Sequence, residues 1–444
     1  MRPLYRTFRL LSSIDHWVRR RFSPAGLLVL AGLVGAATLG LDTNQTVAYQ
    51  AFIFLLTLVI VAMASALVFR ARVAVRRILP RYGTVGERLP YRLVVRNRGR
   101  RPEAGLVALE DLVDPRPTYE EFVETPAGAE AGDNWFDRVV GYPRWQWLIA
   151  RKRAAAVDPL ALPTLPPDGE LSVAAELLPL RRGPLRLTGL TVGRPDPLGL
   201  FRAVHTVPLP QSVLVLPRRY PIPNLRLPGG RKYQRGGVAL AGSVGDSEEF
   251  VALRDYRPGD PVRRIHWKSW ARVGKPVIRE YQDEFFVRHA LVLDTFAPGA
   301  ADAAFEAAVS VAASFACAVR TEDSLLDLLA VGPEAYAFTA GRGVAHAERI
   351  LEVLSGVRPC GDKPFATLHH LVAAQGAALS GAICVLLAWD AARRAFVDHL
   401  DGLGVPALVL VVTDRRPSGA DAFDLERRVR WIEAGRVADG LASL

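Results

Sequence analysis

Cysteine is nearly missing from this chain of 444 residues: Cys317, Cys360 and Cys384 are too few and too scattered for a disulfide framework. A reducing compartment is the simpler setting, and no CxxC or HExxH spacing offers a redox or zinc site. Lysine is rare too, with five against 51 arginines. Gly274-Lys275 is followed by Pro276, so the glycine-rich stretches lack the GxxxxGK[ST] order of a phosphate-binding loop. Acids are scarce in one place only. Residues 1–81 hold Asp15 and Asp42 against eleven arginines, which puts +9 of the formal +11 there and leaves +2 for the other 363 residues. Bulk charge is therefore no argument for nucleic acid. What the chain does have is a 50% hydrophobic composition and length for two or three cores, which excludes disorder.

Between those arginines lie two apolar runs, Ala25 to Leu41 and Val47 to Phe69. The second has 23 uncharged residues and as a helix reaches about 34 Å, enough for a bilayer core; the first, at 17, is marginal. Six arginines precede the pair, and Arg70, Arg72, Arg76, Arg77 and Arg81 follow it. The positive-inside rule then predicts a transmembrane helical hairpin over 1–81 with both flanks in the cytoplasm. A secretory signal beginning at Arg19-Arg20-Arg21 is the competing reading, disfavoured because a second apolar run follows at once.

Residues 82–228 show short apolar alternations broken by Pro and Gly, as in Tyr91 to Val95 and Leu185 to Val192, and read as a β-sandwich-like domain. An insertion at 115–167 carries Trp135, Trp145 and Trp147, expected as core or membrane-interface residues. Residues 229–286 form a glycine-rich linker followed by a basic-aromatic segment. From 287 to 444 apolar strands alternate with helices, predicting a doubly wound, mostly parallel α/β sheet whose strand ends place Asp294, Asp390 and Asp414 at the ligand side. The last helix is expected over Asp421 to Ala434.

The basic-aromatic segment holds the densest information. It reads Arg254-Asp255-Tyr256-Arg257-Pro258-Gly259-Asp260, then Arg263, Arg264, Ile265, His266, Trp267, Lys268, Trp270 and Arg272. Pro258-Gly259 suits the centre of a type II turn, with Asp260 able to cap it. Arginines mixed with aromatics suit phosphate or single-stranded nucleic acid. The plainer reading packs the tryptophans on the sheet and pairs the arginines with Asp255, Asp260 and Glu280, although a solvated loop has no need of two tryptophans.

That run resembles the signature of the domain of unknown function 58 family. Arg181-Arg182-Gly183-Pro184 and Asp196-Pro197-Leu198-Gly199-Leu200-Phe201 resemble its second element. The resemblance implies a bacterial inner-membrane protein with a C-terminal domain related to von Willebrand factor type A domains and relatives associated with MoxR-type AAA+ ATPases; the arginine flanks put the bulk of the chain in the cytoplasm. Type A domains often hold a divalent cation in an Asp-x-Ser-x-Ser loop. Here the loop reads Asp294-Thr295-Phe296-Ala297-Pro298, a degenerate form from which neither metal nor cofactor is expected. Cys317 and Cys384 fall in apolar contexts and read as inert packing. His266 has no evident base-and-orienter set around it, so an enzyme is not expected. The expected function is a non-catalytic, membrane-anchored protein whose segment Arg254, Tyr256, Arg257, Pro258, Gly259, Asp260, Arg263, Ile265, Trp267 and Arg272 docks a protein such as an AAA+ ATPase. Nucleic-acid or anionic-lipid binding by the same residues and an uncharacterised hydrolase are the alternatives.

Overall fold

In the run from Leu89 to Val95 apolar side chains recur at alternate positions, and Leu89, Tyr91, Leu93 and Val95 all face a buried core. The computed structural model describes residues 1–39, 46–67, 72–124, 141–223, 249–260, 262, 265–282, 287–296, 302–319, 324–332, 335–340, 344–414 and 429–444. Two units divide the chain, Met1–Leu216 and Pro217–Leu444. The first boundary therefore falls before the glycine-rich stretch, and the signature segment belongs to the second unit.

The first unit begins with helices α1 (Arg2–Arg21), α2 (Pro24–Leu39) and α3 (Thr46–Leu67). Of these, α3 is long and apolar enough to cross a membrane, over Val47–Ser65; α2 is apolar but shorter than a span requires. The expected pair of spans is thus reduced to one of full length. Strands β1 (Val73–Ile78), β2 (Tyr82–Thr84), β3 (Leu89–Asn97) and β4 (Val107–Leu112) follow, then helices α4 (Tyr119–Glu124) and α5 (Tyr142–Lys152). The unit closes with strands β5 (Ala155–Ala156), β6 (Leu160–Ala161), β7 (Glu170–Pro179), β8 (Gly183–Pro195) and β9 (Arg202–Leu216). One sheet has the order β1-β3-β7-β5, the other β2-β9-β8-β4-β6. Their inner faces share one core in which Leu93, Val95 and Leu177 meet Leu187, Leu190, Val192, Val213 and Val215. This is the expected sandwich, entered earlier than expected, at Val73.

That earlier start changes the meaning of Arg77. Counted by sequence with the cytoplasmic flank, it is instead a buried residue of β1, forked onto both carboxylate oxygens of Glu110 and donating to the Leu209 and Gly189 carbonyls and to Gln211. The Tyr91 hydroxyl completes the cluster by donating to Glu110 at 2.9 Å. Burial and the Glu110 charge push that phenol far above its usual range. The described part of the insertion holds α4, α5 and the short strands β5 and β6. Trp145 lies in a buried aromatic cluster with Tyr5, Phe8 and Phe122, and its indole N–H donates to Ser12 at 2.8 Å. Trp135 lies outside the described residues.

The second unit has a separate hairpin of β10 (Glu249–Asp255) and β11 (Val277–Gln282), with helix α6 (Trp267–Val273) between them. Next come β12 (Val287–Leu293), α7 (Asp302–Ala318), β13 (Ser324–Val331), β14 (Ala335–Ala340), α8 (Val344–Gly356) and α9 (Ala366–Ala373). Strand β15 (Gly381–Leu386), α10 (Ala391–Gly402), β16 (Ala407–Thr413), β17 (Val429–Glu433) and α11 (Val437–Ala442) end the chain. The six-stranded sheet runs β14-β13-β12-β15-β16-β17, parallel throughout except for the β13–β14 pair. Ala290 and Val292 pack with Leu368, Val372 and Phe396 on one face, while Leu291 and Leu293 are buried on the other, as a doubly covered parallel sheet requires.

Two expectations fail here. The helix predicted over Asp421 to Ala434 is not formed in its described part: Val429–Glu433 is a strand hydrogen-bonded along β16, which supplies the ladder that the short run Val-Arg-Trp-Ile-Glu lacks by itself. Cys317 is exposed in the last turn of α7, rotated off the buried face, whereas Cys384 is buried and its thiol is pushed up to about 12 by desolvation.

Candidate functional site

The signature residues fold into the β10–β11 hairpin. The Asp260 amide donates to the Arg257 carbonyl at 3.0 Å, and Gly259 sits at φ +108°, the region a type II turn demands at its third position. Arg254 then grips Asp260 through two hydrogen bonds of 2.7 and 2.8 Å, and the Asp260 carboxylate also accepts the Arg257 amide at 2.8 Å. The Arg254 guanidinium and the Arg257 amide together pull the Asp260 carboxyl down to about 2. So the core of the motif closes on itself. Ile265 is buried and bridges Ile278, the Tyr256 amide donates to the Pro276 carbonyl at 3.0 Å, and Pro258 lies in the exposed turn. Arg263 lies outside the described residues.

Beyond Ile265 the chain forms a short helix, α6, stopped by Gly274 at φ +70° with its amide on the Trp270 carbonyl. Helical spacing brings Trp267 and Trp270 together as a stack, ring centroids 5.2 Å apart and 20° between planes. Trp267 is 60% exposed, which contradicts its expected packing on the sheet. Around it Lys268, Arg272 and Val273 are also exposed. The His266 ring meets the Ser269 hydroxyl at 2.6 Å, and among the described residues no carboxylate bonds it.

A second candidate is the carboxyl end of β12, the point at which strand order reverses and such sheets bind ligands. Asp294 is fully buried there. Its carboxylate accepts the Phe296 amide at 2.9 Å, the Leu387 amide at 3.0 Å and the Arg393 Nε at 2.6 Å. Arg393 also reaches Asp390 and donates to the Phe296 carbonyl at 3.2 Å, with Phe365 below its guanidinium plane at 4.8 Å. Burial opposes ionisation of Asp390, but the amide, charge and side chain of Arg393 outweigh it and hold that carboxyl below its ordinary range. A guanidinium thus fills the place beside Asp294 that a cation would take. Sequence pointed to Asp294 and Asp390; Arg393 stands three residues from Asp390, but the spacing of 99 residues hid it as the partner of Asp294.

The third feature is the Asp196-Pro197-Leu198-Gly199-Leu200-Phe201 loop. Asp196 accepts the amides of Leu198, Leu200 and Phe201 at 3.0, 2.7 and 2.7 Å, which fixes the loop from within. On it rests the start of α2: the Ser23 amide donates to the Leu200 carbonyl at 3.0 Å, and its hydroxyl donates to the Gly199 carbonyl at 2.6 Å while capping Gly26. Phe22, Leu200, Phe201 and Ala62 of α3 form one buried cluster. A Cβ on Gly26 would lie 2.0 Å from the Leu200 carbonyl oxygen, so only glycine permits this approach. Gly26→Ala is expected to cost about 1–3 kcal/mol and to lower the thermal midpoint of the full chain by several degrees; an unchanged midpoint would contradict the contact. Nearby, α1, β4 and α5 line a cleft of ≈ 940 Å³. Among the charges that line it, Arg20 pairs with Asp111, Arg116 with Asp114 and Arg19 with Asp15, and His16 lines it as well.

Comparison with known proteins narrows the reading. Residues 252–397 match the family described as "Protein of unknown function DUF58". The "Uncharacterized protein YeaD" of Bacillus subtilis (strain 168) is 25% identical over 189 residues, which make up 42% of this chain and 45% of that protein. The match therefore spans less than half of that relative. A solved CARDB domain of the PF1109 protein from Pyrococcus furiosus, in complex with di-metal ions, aligns with 33% of this chain and 89% of its own at 12% identity. With a TM-score of 0.17 that likeness does not bear on the fold. The matched region opens inside β10, takes in the Arg254–Asp260 turn and runs to Val397 in α10, so about a third of the chain, with the signature turn inside it, is similar to the DUF58 family.

Proposed function

We propose that this chain is a non-catalytic docking protein anchored in the bacterial inner membrane, with its bulk in the cytoplasm and the α6 face of the signature hairpin as its contact surface. One observation carries this reading: Trp267, in the most distinctive stretch of the sequence, is held on a helix by its stack on Trp270 yet left mostly in solvent. An ordered, exposed tryptophan beside an arginine is the composition of an interface anchor. The Arg254–Asp260 clamp serves to shape the turn, so the proposal assigns contact to Trp267, Lys268 and Arg272 rather than to the whole motif. The partner proposed is a MoxR-type AAA+ ATPase, and the six-stranded sheet is proposed to be of the von Willebrand factor type A kind. The short apolar α2 is proposed to pair with α3 as a membrane hairpin, its length deficit met by local thinning of the bilayer.

Trp267→Ala combined with Arg272→Ala is expected to reduce co-purification with that ATPase about thirtyfold, corresponding to about 2 kcal/mol for a central anchor. Unchanged recovery of the ATPase would remove the proposed surface. The exposed Lys268 and Arg272 next to a free aromatic face favour a second reading, phosphate binding to nucleic acid or anionic lipid. Salt separates the two, since phosphate-dominated binding weakens steeply between 50 and 200 mM salt, by roughly a thousandfold or more for six or more contacts. A hydrolase built on His266 would need a carboxylate partner, and the ring is engaged by Ser269 instead.

A further inference from the structure

Helix α1 has two apolar faces, and the protein covers one of them. Tyr5 and Phe8 are buried against Phe122 and Trp145. Leu10, Ile14 and Trp17 follow at the four- and three-residue steps of a single helical stripe and stay 61%, 50% and 43% exposed. Along the next stripe stand Arg2, Arg6 and Arg9, all exposed, and the whole helix carries six arginines against Asp15. Arg19 is occupied by Asp15 and Arg20 by Asp111, whereas Arg21 lies over the Trp17 ring at 5.2 Å. An apolar row bordered by arginines, with tryptophan at one end, is the pattern of a helix lying in a membrane interface.

Position supplies the second argument. α1 ends at Arg21, only Phe22 and Ser23 separate it from α2, and Phe22 packs in one cluster with Ala62 of α3, inside the apolar window Val47–Ser65. The exposed stripe therefore starts where the chain enters the membrane. Charge selects the lipid: the exposed arginines match anionic headgroups, whose surface potential attracts basic segments within a Debye length.

We propose that α1 is an interfacial helix that inserts Leu10, Ile14 and Trp17 among the headgroups of an anionic leaflet. This rests on the anchoring reading and adds a second, lateral attachment to it. The test uses the full chain with Cys317→Ser, since Cys360 and Cys384 are buried, and a nitroxide placed by Ile14→Cys. The label is read by collision with oxygen and with a water-soluble nickel chelate in lipid discs containing phosphatidylglycerol. Oxygen is expected to dominate at position 14 by about tenfold, and by several-fold less in discs of phosphatidylcholine alone. Nickel dominance in the anionic discs overturns the proposal. Protection from both reagents also overturns it, because protein rather than lipid would then cover the stripe. Equal oxygen preference in both lipids overturns the choice of anionic headgroups. A label from Ile53→Cys on α3 reports the anchor independently: oxygen at 53 with nickel at 14 defeats α1 insertion alone, and nickel at both positions defeats the anchoring as well.

Discussion

Replacing Arg77 with methionine is expected to lower the stability of the unit Met1–Leu216 by about 3–5 kcal/mol, the usual cost of breaking a buried ion pair from one side. The side chains of Arg77 and Glu110 are 0% and 3% exposed, so water cannot take over the lost contacts. Without the guanidinium, Glu110 retains the Tyr91 hydroxyl, while the Leu209 and Gly189 carbonyls lose a donor between the two sheets. At about 2–4 °C per kcal/mol for a unit of this size the thermal midpoint should fall by about 6–20 °C. The double change Arg77→Met with Glu110→Leu should recover much of that loss, because an apolar pair of similar volume avoids the desolvation that the ion pair must overcome. A single variant within about 1 kcal/mol of the parent would show that the cluster is not sealed.

The second large effect belongs to Arg393. Its removal in Arg393→Met leaves the Asp294 carboxylate fully buried with two amide donors and no countercharge, and should cost the unit Pro217–Leu444 about 3–5 kcal/mol. Arg393→Lys should restore only part of it. An ammonium is a point charge, whereas the guanidinium serves Asp294, Asp390 and the Phe296 carbonyl at once from a rigid plane that also lies against Phe365. Urea unfolding of each variant measures the loss, and a lysine variant as stable as the parent would sink the argument from planarity.

Strands β12, β15 and β16 were readable because each is a short continuous apolar run, the mark of a parallel strand buried on both faces. The Arg257–Asp260 turn was readable because Pro-Gly leaves the backbone little choice. Several of the places that escaped prediction share one cause, a partner distant in sequence. Val429–Glu433 takes its strand form from the edge of β16. Residues Ala155–Ala156 and Leu160–Ala161 are too short to carry a period and exist as strands by pairing with β7 and β4. Arg77 looked like one more flanking charge until Glu110, 33 positions away, was placed beside it. In α1 the arginines drew the reading toward membrane topology and masked the Tyr5 and Phe8 spacing. The exposure of Trp267 follows from α6 being helical, which turns a residue expected to face inward toward solvent.

The Asp196 loop also has a mechanical meaning. With the first turn of α2 hydrogen-bonded to Leu200 and Gly199, and α3 packed on the same loop, the β-sandwich is tied to its apolar helices by contacts as well as by the chain. A load applied to the sandwich would pass through those contacts into α2 and α3, and a tilt of those helices would pull on the sandwich through them. Such a joint behaves as a lever fulcrum rather than a tether.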